Sequence, residues 1–172
     1  MIKYLGSKRK LLPSILEQVD AVPDCCSVLD LFSGTSRVGH ALKQQGYRVI
    51  SNDHNAYAHT LATCYVQADR DELLKDVQHL VEECNQITAR AGWFTETFCL
   101  QSRFIHPRNG ARIDAIREHI ASLNLEPELE AVMLVSLMEA ADRVDSTTGV
   151  QMAYLKQWAA RARKDLAMRV PD

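Results

Sequence analysis

The sequence has 172 residues, enough for one domain or for one domain with a helical insertion. A hydrophobic fraction of 47% is ordinary for a globular protein and argues against a disordered chain. The formal net charge of −2 excludes the general basic excess that marks many nucleic-acid-binding proteins.

The cysteines and the apolar runs indicate in which cellular compartment the protein is expected. Five cysteines are scattered without a CxxC pair, so we expect reduced thiols and no metal site. The opening residues carry charge too early for a signal peptide. No apolar stretch reaches the roughly 18 to 20 residues of a membrane helix. These features predict a cytoplasmic protein that makes no membrane contact.

Positive charge is nevertheless concentrated at the two ends of the chain. The clusters are Lys3, Lys8, Arg9 and Lys10 at the start, and Lys156, Arg161, Arg163, Lys164 and Arg169 near the end. Such clusters could meet phosphates, or they could be ordinary solvated faces. Charge alone favours the solvated faces, because most surface Lys and Arg side chains contact nothing.

The first elements in chain order form a strand–turn–helix–strand unit. A helix is predicted to end near residue 18 and to begin at Ser7, or nearer Leu11 because Pro13 lies late for a first turn. The apolar run over residues 27–32 predicts a buried parallel strand. Residues 37–45 predict a short helix, and residues 47–51 predict a second strand. Such crossovers are almost always parallel and right-handed.

The rest of the chain has helical character. Apolar residues recur at helical spacing over residues 73–81, 113–123 and 129–141, whereas residues 91–109 predict a long irregular connection. Nothing after residue 53 predicts a confident strand. We therefore expect an α/β portion over residues 1–67 and a mainly helical segment over residues 68–172.

The loop between the two predicted strands is the first candidate binding element. Gly34 lets the backbone approach a ligand closely, and the helix that follows offers free N–H groups. The pattern is not GxGxxG, because Ser36 follows and the next glycine is Gly39. An uncharged loop beside Asp30 suits a zwitterionic amino-acid group better than a pyrophosphate. A plain strand–helix turn explains the motif equally well.

Asp53 is the second candidate binding residue. It ends the second predicted strand, 19 residues after Gly34, and an acid about 20 residues past such a glycine binds ribose hydroxyls in nucleotide-binding folds. The alternative is an Asx turn, for which Asn52 and Asp53 are suitable residues. With both features in one unit, we favour a cofactor that contains a nucleoside.

Three segments together resemble a known family. Lys3–Pro13 (KYLGSKRKLLP), Asp30–Gly39 (DLFSGTSRVG) and Ser51–Asn55 (SNDHN) resemble, in that order, the N-terminal motifs of D12-type adenine-specific DNA methyltransferases. The helical segment of one branch of that family is similar to residues 112–117, 136–144 and 148–158. The resemblance implies a partial Rossmann-like core that depends on S-adenosylmethionine, followed by a mainly helical second half.

The resemblance also implies roles for individual residues. The methionine end of S-adenosylmethionine would be held by Tyr4, Gly6, Ser7 and Lys8. The cofactor loop would consist of Asp30, Phe32, Gly34 and Thr35, and the ribose-binding acid would be Asp53. Ser36 departs from the family, which usually has a second glycine there. The DNA contacts that we predict are Lys10, Arg112, Lys156, Arg161 and Arg163.

The residues near the end of the predicted helical segment have two interpretations. Tyr154, Trp158, Arg161 and Arg163 interleave aromatic and basic side chains. They could form a helix that contacts phosphates, or a surface that packs on a missing half of the protein.

The catalytic motif of that family is absent from the sequence. The family carries an Asp-Pro-Pro-Tyr-like tetrapeptide that holds the flipped adenine, whereas none of the five prolines here is adjacent to another. We assign no catalytic residue and expect the cofactor-binding portion of a site-specific restriction–modification enzyme, inactive alone. Its expected partners are double-stranded DNA containing adenine and a second polypeptide with the motif. The alternative is a non-catalytic DNA-binding module or a homo-oligomeric assembly module.

Overall fold

A computed structural model describes residues 8–149 and 153–171. The predicted cofactor residues Tyr4, Gly6 and Ser7 lie outside the described residues. The chain divides after Asp69 into two compact units, which we call the N-terminal unit and the helical unit.

The N-terminal unit contains a two-stranded parallel sheet. Its elements are a 3-10 turn Lys8–Lys10, α1 Leu12–Asp20, β1 Ser27–Asp30, α2 Arg37–Gln44, β2 Arg48–Ser51 and α3 Ala56–Ala62, which continues as a π turn Thr63–Gln67. In the sheet, Val28 lies opposite Val49 and Asp30 lies opposite Ser51. The predicted strand–helix–strand unit is confirmed. The prediction that its first strand is buried is wrong, because β1 ends at Asp30 and its residues alternate between exposed and half-buried.

Helix α2 packs closely on one face of this sheet. Gly39 makes the approach possible, because a Cβ atom at that position would lie 3.0 Å from both Ser51 Oγ and Val66 Cγ2. Leu42 on the same helix is fully buried. The opposite face of the sheet is uncovered, since Leu29 and its partner Ile50 are 56% and 52% exposed.

The helical unit is built on three long helices. They are α4 Arg70–Gln86, α6 Pro107–Ser122 and α7 Pro127–Arg143. Helix α7 packs against both α4 and α6. The buried residues lie at the apolar positions that the periodicity selects, among them Val77, Ile116, Ile120 and Met133. The three predicted helices are confirmed.

The predicted irregular connection over residues 91–109 is wrong for residues 93–100 and from residue 107 on, whereas residues 91–92 and 101–106 are outside any helix as predicted. The chain forms α5 Trp93–Thr95, a π turn Glu96–Leu100, and the first turn of α6 from Pro107. The reason is a tertiary contact. The buried carboxylate of Asp114, in α6, accepts hydrogen bonds from the backbone N–H groups of Gly92, Phe94 and Thr95 and from the Thr95 hydroxyl. These bonds satisfy the N–H groups that begin α5.

Residues 153–159 are not helical, contrary to one interpretation of the aromatic and basic pattern. Tyr154 forms an isolated antiparallel bridge with Thr147, and the Leu155 N–H donates to the Ser146 carbonyl. Only a 3-10 turn, Ala160–Arg163, follows. Backbone pairing with residues 146–147 therefore replaces the expected helix.

Two asparagines hold the last described segment. Asn109 is fully buried; its amide donates to the carbonyls of Ala162 and Lys164, and its oxygen accepts from the Leu166 N–H. Asn85 bonds both the N–H and the carbonyl of Met168. These side chains supply the hydrogen-bond partners that a neighbouring strand would otherwise provide.

Candidate functional site

The loop between β1 and α2 is latched to the end of β2. The Asn52 N–H donates to the Asp30 carbonyl, and the Asn52 side chain donates to the Leu31 carbonyl, each at 2.9 Å. The Ser33 N–H donates in turn to the Asn52 carbonyl at 2.9 Å. The carboxyl ends of the two parallel strands therefore meet at one edge, where α/β folds bind ligands.

The carboxylate of Asp53 links the loop after β1 to the chain after β2 at this edge. One carboxylate oxygen accepts from the Gly34 N–H at 2.8 Å, and the other accepts from the Asn55 N–H at 3.0 Å. These backbone bonds, with the Asn55 bond the stronger cause, hold the pKa of Asp53 below its ordinary value. The bond to Asn55 is the expected Asx turn, and the bond to Gly34 brings the acid to the loop. An ionised carboxylate has lone pairs to accept further donors.

Asp30 offers an acceptor without a partner. It is half-buried at the end of β1, and its Oδ2 atom accepts no hydrogen bond from the described residues. Burial raises the pKa of Asp30, while the charge of Lys8 and the Gly39 N–H oppose the shift. A buried acceptor left unpaired is costly, so a ligand that carries an ammonium group would be favoured beside it.

The surface of the loop is open. Gly34 has a φ of +50°, and a Cβ atom built there would meet nothing within 4 Å. Phe32 is 75% exposed, and Thr35 is half-buried. An exposed phenyl ring beside open backbone is a place where an apolar part of a ligand can pack.

Ser36 adopts a left-handed backbone conformation of the kind that favours glycine. Its φ of 55° and ψ of 18° are left-handed, its side chain is fully buried, and its hydroxyl has no partner in the described chain. A non-glycine residue in this region costs of the order of 1–3 kcal/mol. The turn is held by a bond from the Ser36 N–H to the Ser33 carbonyl.

The structure separates the predicted DNA contacts into two groups. Arg112 donates to the carbonyls of Asn85 and Ile87, and Arg161 is paired with the Asp145 carboxylate and the Thr147 carbonyl. Those two guanidinium groups therefore stabilise the helical unit. The remaining predicted contacts, which are exposed, are Lys10, Lys156 and Arg163.

Sequence reasoning missed two arginines that join the exposed cations of the helical unit. The Arg103 guanidinium lies 4.7 Å from the ring centroid of Trp158 and donates to the Lys156 carbonyl. Arg108 donates to the Arg163 carbonyl and forms an exposed ion pair with Asp165, which offsets part of its charge. We call the set of Arg103, Arg108, Lys156 and Arg163 the basic patch. No sequence signal links its members. Arg103 is 53 residues from Lys156 and Arg108 is 55 residues from Arg163, so only the fold brings each arginine to its partner.

Two further kinds of feature are absent from the described residues. No helix there has both the length and the apolar character that a membrane crossing requires. No three His, Cys, Asp or Glu side chains in the described ranges are grouped so that they could hold a metal ion.

A small parallel sheet with an acid-braced loop at its carboxyl edge has the kind of edge at which α/β folds bind ligands. Comparison with known proteins gives the class. Residues 4–171 match the D12 class N6 adenine-specific DNA methyltransferases, and the chain belongs to that family. No solved structure matches the chain.

Curated relatives agree with this assignment. The chain is 29% identical over 179 residues to the type II methyltransferase M.NlaIII of Neisseria lactamica, covering 97% of this chain and 53% of the relative. It is 32% identical over 188 residues to modification methylase StsI of Streptococcus sanguinis, covering 98% and 28%. It is 30% identical over 189 residues to the type II methyltransferase M.FokI of Planomicrobium okeanokoites, covering 99% and 29%. The chain thus spans about half of these relatives or less.

D12 class methyltransferases use S-adenosylmethionine, and the site has the chemistry for that group. The unpaired oxygen of Asp30 matches an ammonium donor, and the ionised Asp53 matches ribose hydroxyls. The open backbone at Gly34 leaves room beside both carboxylates. On these observations the residues fit S-adenosylmethionine.

Proposed function

We propose that this chain supplies the S-adenosylmethionine-binding portion of a site-specific adenine-N6 DNA methyltransferase with a Rossmann-like core. The observation that carries the proposal is the hydrogen bond from the Gly34 N–H to Asp53, which joins the loop after β1 to the end of β2. It brings two motifs, far apart in the sequence, to one edge of a parallel sheet. Membership of the family supports the same assignment.

Each site residue then has a chemical role. Asp53 accepts hydrogen bonds from the ribose hydroxyls, and Asp30 accepts from the cofactor ammonium. Phe32 forms an apolar wall, and Gly34 with Thr35 lets the cofactor reach the backbone. The methionine end is held by Tyr4, Gly6, Ser7 and Lys8. When bound, S-adenosylmethionine supplies a methyl group on a sulfonium, ready for transfer to the adenine amine.

Methyl transfer in this proposal requires an Asp-Pro-Pro-Tyr-like tetrapeptide from further chain or from a second polypeptide. The uncovered face of the sheet supports the requirement. Leu29 and Ile50 are exposed there, and Leu31, directly after β1, is 51% exposed. Parallel sheets in α/β proteins are normally covered on both faces. In this proposal, further protein packs on this face and covers it, and the same protein carries the catalytic motif.

The same face supports a second candidate function, an assembly module. Exposed sheet edges and apolar patches are also covered when a second copy of a chain docks. Light scattering separates the two ideas, because an assembly module is expected to be an oligomer when purified alone. A monomer at all concentrations would contradict the assembly module. It would leave the proposed methyltransferase portion, which needs further protein for catalysis, unaffected.

The basic patch and Lys10 supply the proposed contacts to double-stranded DNA. Lysine and arginine that neutralise phosphates release counterions, so the affinity falls as salt rises. We expect the substitution Lys156→Ala to weaken duplex binding about equally for all sequences and to reduce the salt dependence. A change that depended on the sequence of the duplex would contradict a phosphate contact.

Calorimetric titration of S-adenosylmethionine tests the cofactor role directly. We expect stoichiometric binding to the purified chain and a loss of at least about tenfold in affinity with Asp53→Asn, since the amide weakens charge-assisted bonds. Asp76→Asn is the matched control, because Asp76 is an exposed carboxylate on α4 in the helical unit. Equal losses in the two variants, or a folded chain that binds no cofactor, would contradict the proposal.

A second measurement tests the tetrapeptide requirement. The chain is co-expressed with the portion of an M.NlaIII-like relative that lies beyond the matched region, and transfer of labelled methyl groups to adenine-containing duplex is followed. Activity is expected only in the combination. Transfer by the 172-residue chain alone would overturn the requirement while leaving cofactor binding intact.

A further inference from the structure

An extended segment of the helical unit lies on its three long helices without pairing with another strand. We call residues 164–170 the strap. Residues 165–171 lie outside any helix or strand, and they make no hydrogen bond to another backbone group of the described chain. Side chains from α4, α6 and α7 bond to the backbone of the strap instead. The strap is therefore held as a peptide ligand is held by a receptor.

Two asparagines bind the first half of the strap. Asn109, in α6, donates to the Lys164 carbonyl at 2.9 Å and accepts from the Leu166 N–H at 3.1 Å. Asn85, in α4, donates to the Met168 carbonyl at 3.1 Å and accepts from the N–H of the same residue at 2.8 Å. A side-chain amide has both a donor and an acceptor, as a peptide group has. These bonds therefore require an extended backbone and do not depend on the side chains of the strap.

Helix α7 binds two further carbonyl groups of the strap. The hydroxyl of Ser136, which is fully buried, donates to the Arg169 carbonyl at 2.6 Å. The guanidinium of Arg143 donates to the Ala167 carbonyl at 2.9 Å. We call the surface that contacts the strap the groove, and we define it by Asn85, Asn109, Ser136 and Arg143. All three long helices thus contribute a polar side chain that contacts the strap.

The side chains of the strap alternate between the protein interior and the solvent. Leu166 and Met168 are each 2% exposed, whereas Asp165, Ala167 and Arg169 are exposed. A period of two is expected for an extended chain with one buried face. Selectivity in the groove therefore rests on the two buried apolar side chains, and the side chains between and beside them are free to vary.

We propose that the groove is a recognition site for an extended protein segment with apolar side chains two residues apart, and that the strap is its built-in occupant. The strap leaves and returns without unfolding the helices, because its departure breaks no hydrogen bond within a helix. The vacated groove then binds a segment of another protein chain that has the same apolar pattern. A helical partner does not fit, since its backbone groups are already paired and the two asparagines need free ones.

Calorimetry with a synthetic peptide of residues 163–171 tests this recognition. The peptide is titrated into the native chain and into a full-length double variant, Leu166→Ser with Met168→Ser, whose groove residues are unchanged. In the native chain the tethered strap competes at an effective concentration of about a millimolar, so the peptide is excluded. We expect the double variant to bind the peptide at least about a hundredfold more tightly than the native chain does. A folded double variant that binds no peptide would overturn the proposal.

Two altered peptides separate recognition from unspecific adhesion. A peptide with the change Leu166→Ser should bind the double variant at least about tenfold more weakly than the native peptide, because a buried apolar side chain is lost. The matched control carries Ala167→Ser, a change to the same residue at the neighbouring exposed position, and should bind as tightly as the native peptide. Equal affinities of all three peptides would contradict selection by the buried pair.

Hydrogen exchange in the native chain decides the question if the double variant does not fold. The amide hydrogens of Leu166 and Met168 are bonded to the two asparagines and exchange only when the strap opens. We expect them to exchange at least about tenfold faster than the buried amides of α6, such as those of Ile116 and Ile120, because the strap opens without the helices. Equal exchange rates would show that the strap leaves only on global unfolding, which would overturn the proposal.

Discussion

Asp114 should be the single most costly polar side chain to change in the helical unit. Its carboxylate is 8% exposed and receives four donors. Oδ1 accepts from the Phe94 N–H at 2.9 Å. Oδ2 accepts from the N–H groups of Gly92 and Thr95 at 2.8 Å and from the Thr95 hydroxyl at 2.6 Å. The substitution Asp114→Asn keeps the side-chain shape. Its single amide oxygen can accept either from the donors at the Oδ1 position or from those at the Oδ2 position, but not from both.

The expected cost follows from this geometry. The amide oxygen takes the side with three donors, so the amide NH2 faces the Phe94 N–H and that bond is lost. A hydrogen bond to a charged group contributes about 1.5–3 kcal/mol, and the three that remain weaken because their acceptor is neutral. We expect a loss of about 3–4 kcal/mol, a large share of the 5–15 kcal/mol that is typical of whole domains. Thr95→Val removes one donor and should cost about 1 kcal/mol.

Urea unfolding followed by circular dichroism measures the difference, and pH supplies an internal check. Burial raises the pKa of Asp114, but the bonds from Thr95, Phe94 and Gly92 outweigh burial and lower it overall. A lowered folded pKa gives stability that is present above the ordinary value of 3.8 and is lost as pH falls through the folded pKa. The gap between native protein and Asp114→Asn should therefore narrow in acid. Equal midpoints at neutral pH, or a gap that widens in acid, would refute the reasoning.

Three further changes have defined outcomes. Gly110→Ala should destabilise by about 2 kcal/mol, because the new methyl group overlaps the buried Cys99 sulfur; thermal unfolding measures it, and Cys99→Ala in the same chain should restore part of the loss. Asn109→Ala removes three hydrogen bonds, two of them buried, and should release the last segment. The release should appear as faster tryptic cleavage after residue 164 while the helical content stays unchanged. Tyr47 has a pKa raised to about 12 by its bond to Asp20, so ultraviolet titration of Asp20→Asn should find that pKa closer to the ordinary 10.0, and an unchanged titration would contradict the bond.

Local chemistry made the N-terminal unit predictable. The apolar run before Gly34 predicts the ends of β1, and the glycine after α2 predicts the end of that helix, each to within a few residues. The reason is that strand, turn and helix signals all lie inside the segments themselves. Asp53 could be singled out by spacing alone, and the structure brings it to Gly34. The role of these residues in cofactor binding stays a prediction.

The failures share a different cause, which is support from outside the segment itself, in two cases from distant parts of the chain. Residues 93–100 have no capping residue of their own, and Asp114 supplies the acceptors from α6. Residues 153–155 pair with residues 146–148, so their aromatic and basic pattern gave a false helix. The basic patch is likewise assembled by Arg103 and Arg108, far in sequence from the cations they join. For the Asp114 contacts and the basic patch, no window of local sequence contains the partners.

Ser36 has one more consequence, for how a ligand would arrive. A side chain is kept in a left-handed conformation only where its surroundings over-determine the backbone. The latch by Asn52 and the bond to Asp53 provide that constraint before any ligand is present. A loop that is already ordered loses little entropy on binding. Association at this edge should therefore proceed in a single kinetic step, with no slow rearrangement of the loop after the encounter.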